Sequence, residues 1–389
     1  RRGGVSPRAK RRLRHALLGV GLCLVGVAAW AWHDPEGMRH ASAKSLRDLV
    51  GPPEPPAELR YEDELDPSSN SLGHDVLIPM ARQAQPQLEL EPIAKPRRPA
   101  GLEGVSFVVL LGADNRTDKV VGRTDAMIVA GFRHRDGKVA AFSVPRDLWV
   151  DLPDIGTLHE EGRGQARISS VVRVGEVRLG RGQGIPLLRR VMLEQLGIRV
   201  DRFASIDFAG FEALVDQLGG IDVDVECPIM DCFWIDGPDQ PCVVMSVEAG
   251  RTHMDGATAL QFVRSRHGTG DRDRTKRQQA VLLAFGREVQ ARGLRGISAL
   301  WRSAEPYVTT DLEADDAAYY ASFALENQLS DIRGFSIQHP MTSKFVSEGK
   351  HVLVLDRDAF DAALARMFDA ELPTLRERGH CPSPDAALK

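Results

Sequence analysis

The pattern of apolar and polar residues divides the chain into three regions. Ala16 to Trp32 runs without a charged residue (ALLGVGLCLVGVAAWAW). As a helix it would rise about 25 Å at 1.5 Å per residue, short for a bilayer span but workable. Residues 33–100 hold no periodicity; Pro52, Pro53, Pro55 and Pro56 cluster there, which predicts a tether with at most a short helix over Ser45–Val50. From Val105 the chain becomes strand-like. Phe107–Leu111, Ala126–Phe132 and Val139–Val144 are apolar runs, and Asp136-Gly137 between the last two is a strong hairpin signal.

Helical spacing then enters. Pro186–Leu196 stops at Gly197, and Phe211–Leu218 stops at Gly219-Gly220. Strands are expected over Phe203–Phe208 and Ile221–Val225, and helices over Leu260–Arg264 and Arg274–Gln290. Beyond Gly293 the pattern predicts two amphipathic helices around Leu300 and Tyr319, a strand near Phe335 and a last helix around Phe360. The final twenty residues read as a loose tail. Strands interleaved with helices imply an α/β or α+β sandwich.

Charge adds an orientation. Arg1, Arg2, Arg8, Lys10, Arg11, Arg12 and Arg14 precede the apolar run with no acid among them. Such a flank stays in the cytoplasm, so an anchor over 16–32 would place everything after His33 outside, with Trp30 and Trp32 at the outer interface. A cleaved signal peptide is the alternative; Ala29-Trp30-Ala31 offers a cleavage pattern, although bulky tryptophans suit an interface better. The formal net charge of −4 over 389 residues argues against a general nucleic-acid binder. Cys227, Cys232, Cys242 and Cys381 lie on the outward side, where a pair would staple the loop around Trp234; free thiols or a metal site are the other readings.

Two clusters carry candidate chemistry. If the first three strands pair antiparallel in sequence order, one sheet edge gathers Asp114-Asn115-Arg116, Arg123-Thr124-Asp125 and Arg146-Asp147. Isolated charged turns of this kind are ordinarily weak surface ion pairs; three at one edge are less easily chance. The second cluster is Arg264-Ser265-Arg266, then Asp271-Arg272-Asp273-Arg274 and Arg277-Gln278. In a helix starting near Asp273, Arg274, Arg277 and Gln278 share one face of the first turns. Cations at a helix N-terminus are unfavourable unless an anion neutralises them, and guanidinium pairs well with phosphate. Asp114 and Asp125 beside those arginines suit Mg²⁺ (or Mn²⁺) bridged to phosphate oxygens. A glycosidase carboxylate pair is disfavoured, because the arginines would hold down the pKa of the required acid.

Taken in order, FVVLLGADNR, VGRTDAMIVAGF, FSVPRD, ARISSV, LVDQLGGIDVDV, HMDGATALQFVRSRH and GDRDRTKRQQ resemble the LytR–CpsA–Psr family of cell-envelope phosphotransferases. The resemblance covers about Val105 to Phe368. It implies a three-layer α-β-α sandwich around a mixed central sheet, preceded by one transmembrane helix and a disordered tether. The implied division is a cytoplasmic tail over 1–15, an anchor over 16–32, a tether over 33–100, a catalytic domain over 101–370 and a tail over 371–389. It further implies transfer of a phosphate-linked glycopolymer from a polyprenyl pyrophosphate carrier, its lipid in an apolar groove, onto peptidoglycan or another envelope acceptor. By position, Asp114 and Asp125 would serve the metal, while Arg116, Arg123, Arg146, Arg264, Arg266, Arg274, Arg277 and Gln278 would line the phosphates. Asp271 would orient or deprotonate the acceptor hydroxyl and, with Arg274, form the catalytic pair; changing Arg274 or Asp125 to alanine should remove transfer. The family usually shows Lys-Ile-Asn-x-Ala-Tyr where this chain has Arg167-Ile168-Ser169-Ser170-Val171-Val172, and the insert from Cys227 to Cys242 is not a general family feature. A non-catalytic binder or regulator of lipid-linked intermediates, and a pyrophosphate hydrolase, are the competing functions. No helix-turn-helix with a basic recognition helix supports a DNA-binding one.

Overall fold

The computed structural model describes residues 44–45, 47–56, 59, 98–113, 122–153, 164–233, 243–265, 271–304, 306–327, 332–347, 350–369 and 381. The apolar run 16–32 lies outside them; among the described residues no helix is long and apolar enough to cross a membrane.

A central mixed sheet organises the domain. Strands β1 (Val105–Ala113), β2 (Thr124–Arg133) and β3 (Lys138–Ser143) form an antiparallel meander, with Val109 opposite Val129 and Val129 opposite Phe142. The Asp136-Gly137 turn joins β2 to β3, and Gly137 takes φ +68°, a conformation natural to glycine. Two short antiparallel ribbons follow: β4 (Trp149–Asp151) with β5 (Gln165–Arg167), and, further on, β7 (Ile221–Val225) with β10 (Gly250–Met254). Strand β6 (Arg202–Asp207) adds parallel to β1; β8 (Ile229–Phe233) pairs with β9 (Val243–Val247) in the cysteine-bearing region. At the sheet edges, β11 (Val308–Thr310) lies antiparallel to β6 and β12 (Arg333–Ser336) parallel to β3, giving the order β11-β6-β1-β2-β3-β12. A last hairpin, β13 (Thr342–Ser347) and β14 (Lys350–Leu355), stands apart from the sheet.

The alternation of strand residues supplies a core on each face. Phe107, Val109, Leu111, Met127, Val129, Ala140 and Phe142 point to one side. There they meet the helical stretch 168–179, helix α1 (Gly184–Val191) and the C-terminal helix α6 (Arg357–Leu364). Each of these side chains larger than alanine contributes about 1.5–3 kcal/mol by leaving water. Phe132 and Val139 point the other way, against Tyr319 and Phe323 of α5 (Ala314–Glu326). A further core joins β7 and β10 to α2 (Phe208–Gln217), α3 (Gly256–Arg264) and α4 (Asp271–Ala304). Helices α2 and α3 pack so closely at Gly256 that a Cβ there would lie 2.3 Å from the Glu212 carbonyl oxygen. The Asp216 carboxylate accepts the Gly256 N–H at 2.7 Å.

Several boundaries differ from the pattern-based expectation. Helix α4 starts at Asp271 rather than Asp273 and continues for 34 residues, through Gly293 and into the segment expected as a separate helix around Leu300. Part of the expected tether is docked on the domain. Residues 47–50 are helical, Arg47 is 2% exposed, and its guanidinium pairs with Glu326 while lying 4.8 Å from the Phe323 ring centroid. Leu59 is buried against Leu193. The tail is also held at one point: Cys381 is disulfide-bonded to Cys227, 154 residues earlier, rather than the cysteines closing only their local loop. Cys232 is disulfide-bonded too, and Trp234 lies outside the described residues.

Candidate functional site

The antiparallel meander puts the end of β1, the start of β2 and the end of β3 on one edge, as the strand order predicts. There Arg146 Nη1 donates to Asp125 Oδ1 at 3.1 Å. The neighbouring carboxylate, Asp147, lies between two guanidiniums, 3.6 Å from Arg146 Nε and 3.1 Å from Arg167 Nε. Main-chain contacts fix this edge. Ser169 N–H donates to the Arg146 carbonyl at 3.3 Å, the Thr124 hydroxyl donates to the Ser169 carbonyl, and Ile168 N–H donates to the Leu148 carbonyl. The segment Arg167–Ser170 therefore closes one side of the edge. Arg123 stands exposed just before β2, whereas Asp114 and Arg116 lie outside the described residues.

One hydrogen bond ties the helix of the second cluster to the strand that leads to the first. Gln279, in the third turn of α4, donates from Nε2 to the Ser143 hydroxyl at 3.2 Å, three residues before Arg146. Both fall within the segments FSVPRD and GDRDRTKRQQ, but a glutamine–serine contact across 136 positions leaves no local pattern that pairs them. Arg274 is 4% exposed and Gln278 half-buried on the same turns. Arg277, 6% exposed, donates from Nε to the Phe262 carbonyl at 3.0 Å and from Nη2 to the Ser265 carbonyl. It thereby pins the end of α3 to the start of α4. Arg264, the last residue of α3, lies over the Phe208 ring at 4.5 Å and nears that of Phe233 at 5.8 Å. Burial and the neighbouring Asp216 push the Glu212 carboxyl above its ordinary pKa, with Arg264 pulling the other way. Arg266 and the side chain of Asp271 lie outside the described set.

Behind the first turns of α4 is a cavity of about 120 Å³ lined by Asp224, Glu226, Cys227, Phe262, Lys276 and Arg277, among others. Small-molecule sites usually run from roughly 300 Å³ upward. At that volume the recess is too small for a polyprenyl chain and is not the groove expected for a lipid. Among the described residues, no group of three or more His, Cys, Asp or Glu is placed to hold a metal ion unaided.

These features define a class: a mixed α/β domain whose central sheet ends in an edge of interleaved arginines and aspartates, closed by the start of a long helix. The chain belongs to the LytR_cpsA_psr family, whose profile matches residues 92–369. Among curated relatives, the regulatory protein MsrR of Staphylococcus aureus is 28% identical over 194 residues, which cover 49% of this chain and 51% of that protein. The probable cell wall biosynthesis protein LcpB of Corynebacterium glutamicum is 32% identical over 166 residues, 42% of this chain and 34% of that one. The chain thus spans about half the length, or less, of these relatives. Among solved structures, TagV of Bacillus subtilis aligns with a TM-score of 0.53 at 21% identity, over 69% of this chain and 98% of that one. That likeness is one of fold.

Proposed function

We propose that this protein is a phosphotransferase that moves a phosphate-linked glycopolymer from a polyprenyl pyrophosphate carrier to a hydroxyl of peptidoglycan or another envelope acceptor. The observation that supports it most is the Arg146–Asp125 pair joining β2 and β3 at one edge, three residues beyond the Ser143–Gln279 bond that ties β3 to α4. Guanidinium groups held by carboxylates stay in place without a ligand, so little reorganisation is needed when a pyrophosphate arrives. The acceptor oxygen attacks the phosphorus bearing the glycan, that phosphorus parts from the bridging oxygen, and polyprenyl phosphate leaves. Asp271 is placed by sequence at the start of α4, where it would take the hydroxyl proton. Arg123, Arg146, Arg264 and Arg274, with Arg116 and Arg266, would share the charge on the phosphate oxygens.

Mg²⁺ (or Mn²⁺) fits this donor set. Asp125 uses one oxygen on Arg146 and remains 29% exposed, which suits a cation held by one or two carboxylates plus substrate phosphates. Asp125 with Asp114 would hold it, and bound there it would neutralise developing charge on the phosphate. The same reading sets the domain outside the cytoplasmic membrane on a single anchor over 16–32.

The test is to supply purified protein with a synthetic polyprenyl-pyrophosphoryl sugar, an acceptor glycan and Mg²⁺. Arg274→Ala and Asp125→Ala should each lower transfer by roughly 10²-fold or more, the scale of losing one charge-stabilising group. Unaltered turnover by Arg274→Ala overturns the assignment. Donor binding without product favours a non-catalytic binder, and product without acceptor favours a hydrolase.

A further inference from the structure

The β13–β14 hairpin carries exposed apolar side chains that the site does not use. Phe345 is 57% exposed, Val346 54% and Val354 39%. Phe345 and Val346 are consecutive strand residues, so they face opposite sides of the ribbon. Exposure on both sides marks β13 as the outer strand of the ribbon. Its partner strand β14, in contrast, is fixed to the charged edge. Val352 is buried, Leu353 N–H donates to the Asp147 carbonyl at 2.9 Å, and Arg167 Nη2 donates to the His351 carbonyl at 3.0 Å.

Chain connectivity says what lies nearby. The apolar run ends at Trp32, and Arg47 is already bound to Glu326, leaving only residues 33–46 between them. Lys44 and Ser45 are already helical, so the leash is residues 33–43, which reach at most about 40 Å when fully extended. Arg47 docks near the β2–β3 turn, the end of the sheet opposite the charged edge; its guanidinium approaches the position a Gly137 side chain would occupy. Strand β2 measures about 34 Å at 3.4 Å per residue. The leash is therefore longer than the sheet, and it permits the charged edge, rather than the turn, to face the bilayer. The hairpin's charges, Lys344 and Lys350 against Glu348, favour an anionic surface.

We propose that the β13–β14 hairpin is a membrane-contacting blade. It seats Phe345, Val346 and Val354 among lipid head groups and holds the Arg146–Asp147 edge at the depth of a lipid-borne pyrophosphate. This rests on the anchored, lipid-donor reading above and adds to it the orientation of the site.

The test uses the full chain, with Cys23→Ser, reconstituted in phosphatidylglycerol vesicles without reductant. An environment-sensitive fluorophore is placed on Val346→Cys or, as a control, on Val177→Cys, a residue 63% exposed in the helical stretch 168–179. The unsubstituted Cys23→Ser chain sets the labelling background. The expected result is a blue shift and quenching by spin-labelled lipid at 346 and neither at 177, weakened by a Phe345→Asp substitution. Equal behaviour at the two positions overturns the blade. A blue shift that needs no lipid and grows with protein concentration overturns it in favour of a contact between two copies. Quenching at 346 with no transfer activity would strike the proposed reaction and leave the blade standing. Full transfer without quenching does the reverse.

Discussion

Replacing Arg277 with methionine separates a structural arginine from one that serves a phosphate. The guanidinium is almost wholly buried and donates to the carbonyls of Phe262 and Ser265, two residues that are themselves 2% and 0% exposed. Methionine fills similar volume but donates nothing, so both carbonyls lose that donor where water does not reach them. Each such loss costs about 1–3 kcal/mol, and the removed bonds are charge-assisted, which puts the total at about 3–5 kcal/mol. For a domain of this size each kcal/mol moves the midpoint by roughly 2–4 °C, so Tm should fall by about 6–20 °C. Scanning calorimetry of the purified chain reads this directly. Arg277→Lys should recover part of the loss, since an ammonium can still donate there but lacks the planar fork. A Tm within about 2 °C of the parent, together with weakened donor binding, would refute the reasoning and put Arg277 on the phosphate instead.

Gly256→Ala should destabilise by about 1–3 kcal/mol in denaturant unfolding, because the added Cβ meets the Glu212 main chain rather than a side chain that can move aside. Removing the Cys227–Cys381 bond with a double Cys227→Ser, Cys381→Ser substitution frees a loop of 154 residues, and the chain-entropy relation gives a loss of up to about 5 kcal/mol, visible as a lower urea midpoint. Hydrogen bonds from Arg133, and then Lys138, hold the Asp369 carboxyl well below its ordinary range. A depressed carboxylate adds stability above its unfolded pKa of about 3.9 and loses it as pH falls below that. Asp369→Asn should therefore lower stability at pH 7 and flatten its decline below pH 4; an unchanged acid profile would count against the contact.

The meander was legible because its signals are local: apolar runs of strand length, an Asp-Gly turn, and charges at the ends that sequence order brings together. Helices α2 and α3 begin earlier than the apolar spacing implies, at Phe208 and Gly256, behind the caps Asp207, which accepts from Gly210 N–H, and Asp255, which accepts from Thr258 N–H. What escaped was non-local. Arg277 reads as one more basic residue on the phosphate face, and its bonds to main-chain carbonyls are not legible because those acceptors carry no residue identity. Helix α4 runs through Gly293 although glycine costs about 1 kcal/mol in a helix, so the expected break there did not occur. The β13–β14 hairpin has too few alternating residues to stand out, and disulfide partners cannot be paired from spacing alone.

The strand order of the central sheet bears on how this protein comes into being. Strands β1 to β3 are neighbours in sequence and can zip together early, but both outer positions are filled late: β11 begins at Val308 and β12 at Arg333. Until roughly two hundred further residues have emerged, the open side of β3 presents unpaired main-chain groups and apolar Phe142 to whatever is near. A chain interrupted before Arg333 would keep that side available for pairing with other chains. Completion of synthesis, and not only correct packing, is thus what protects this domain from aggregation.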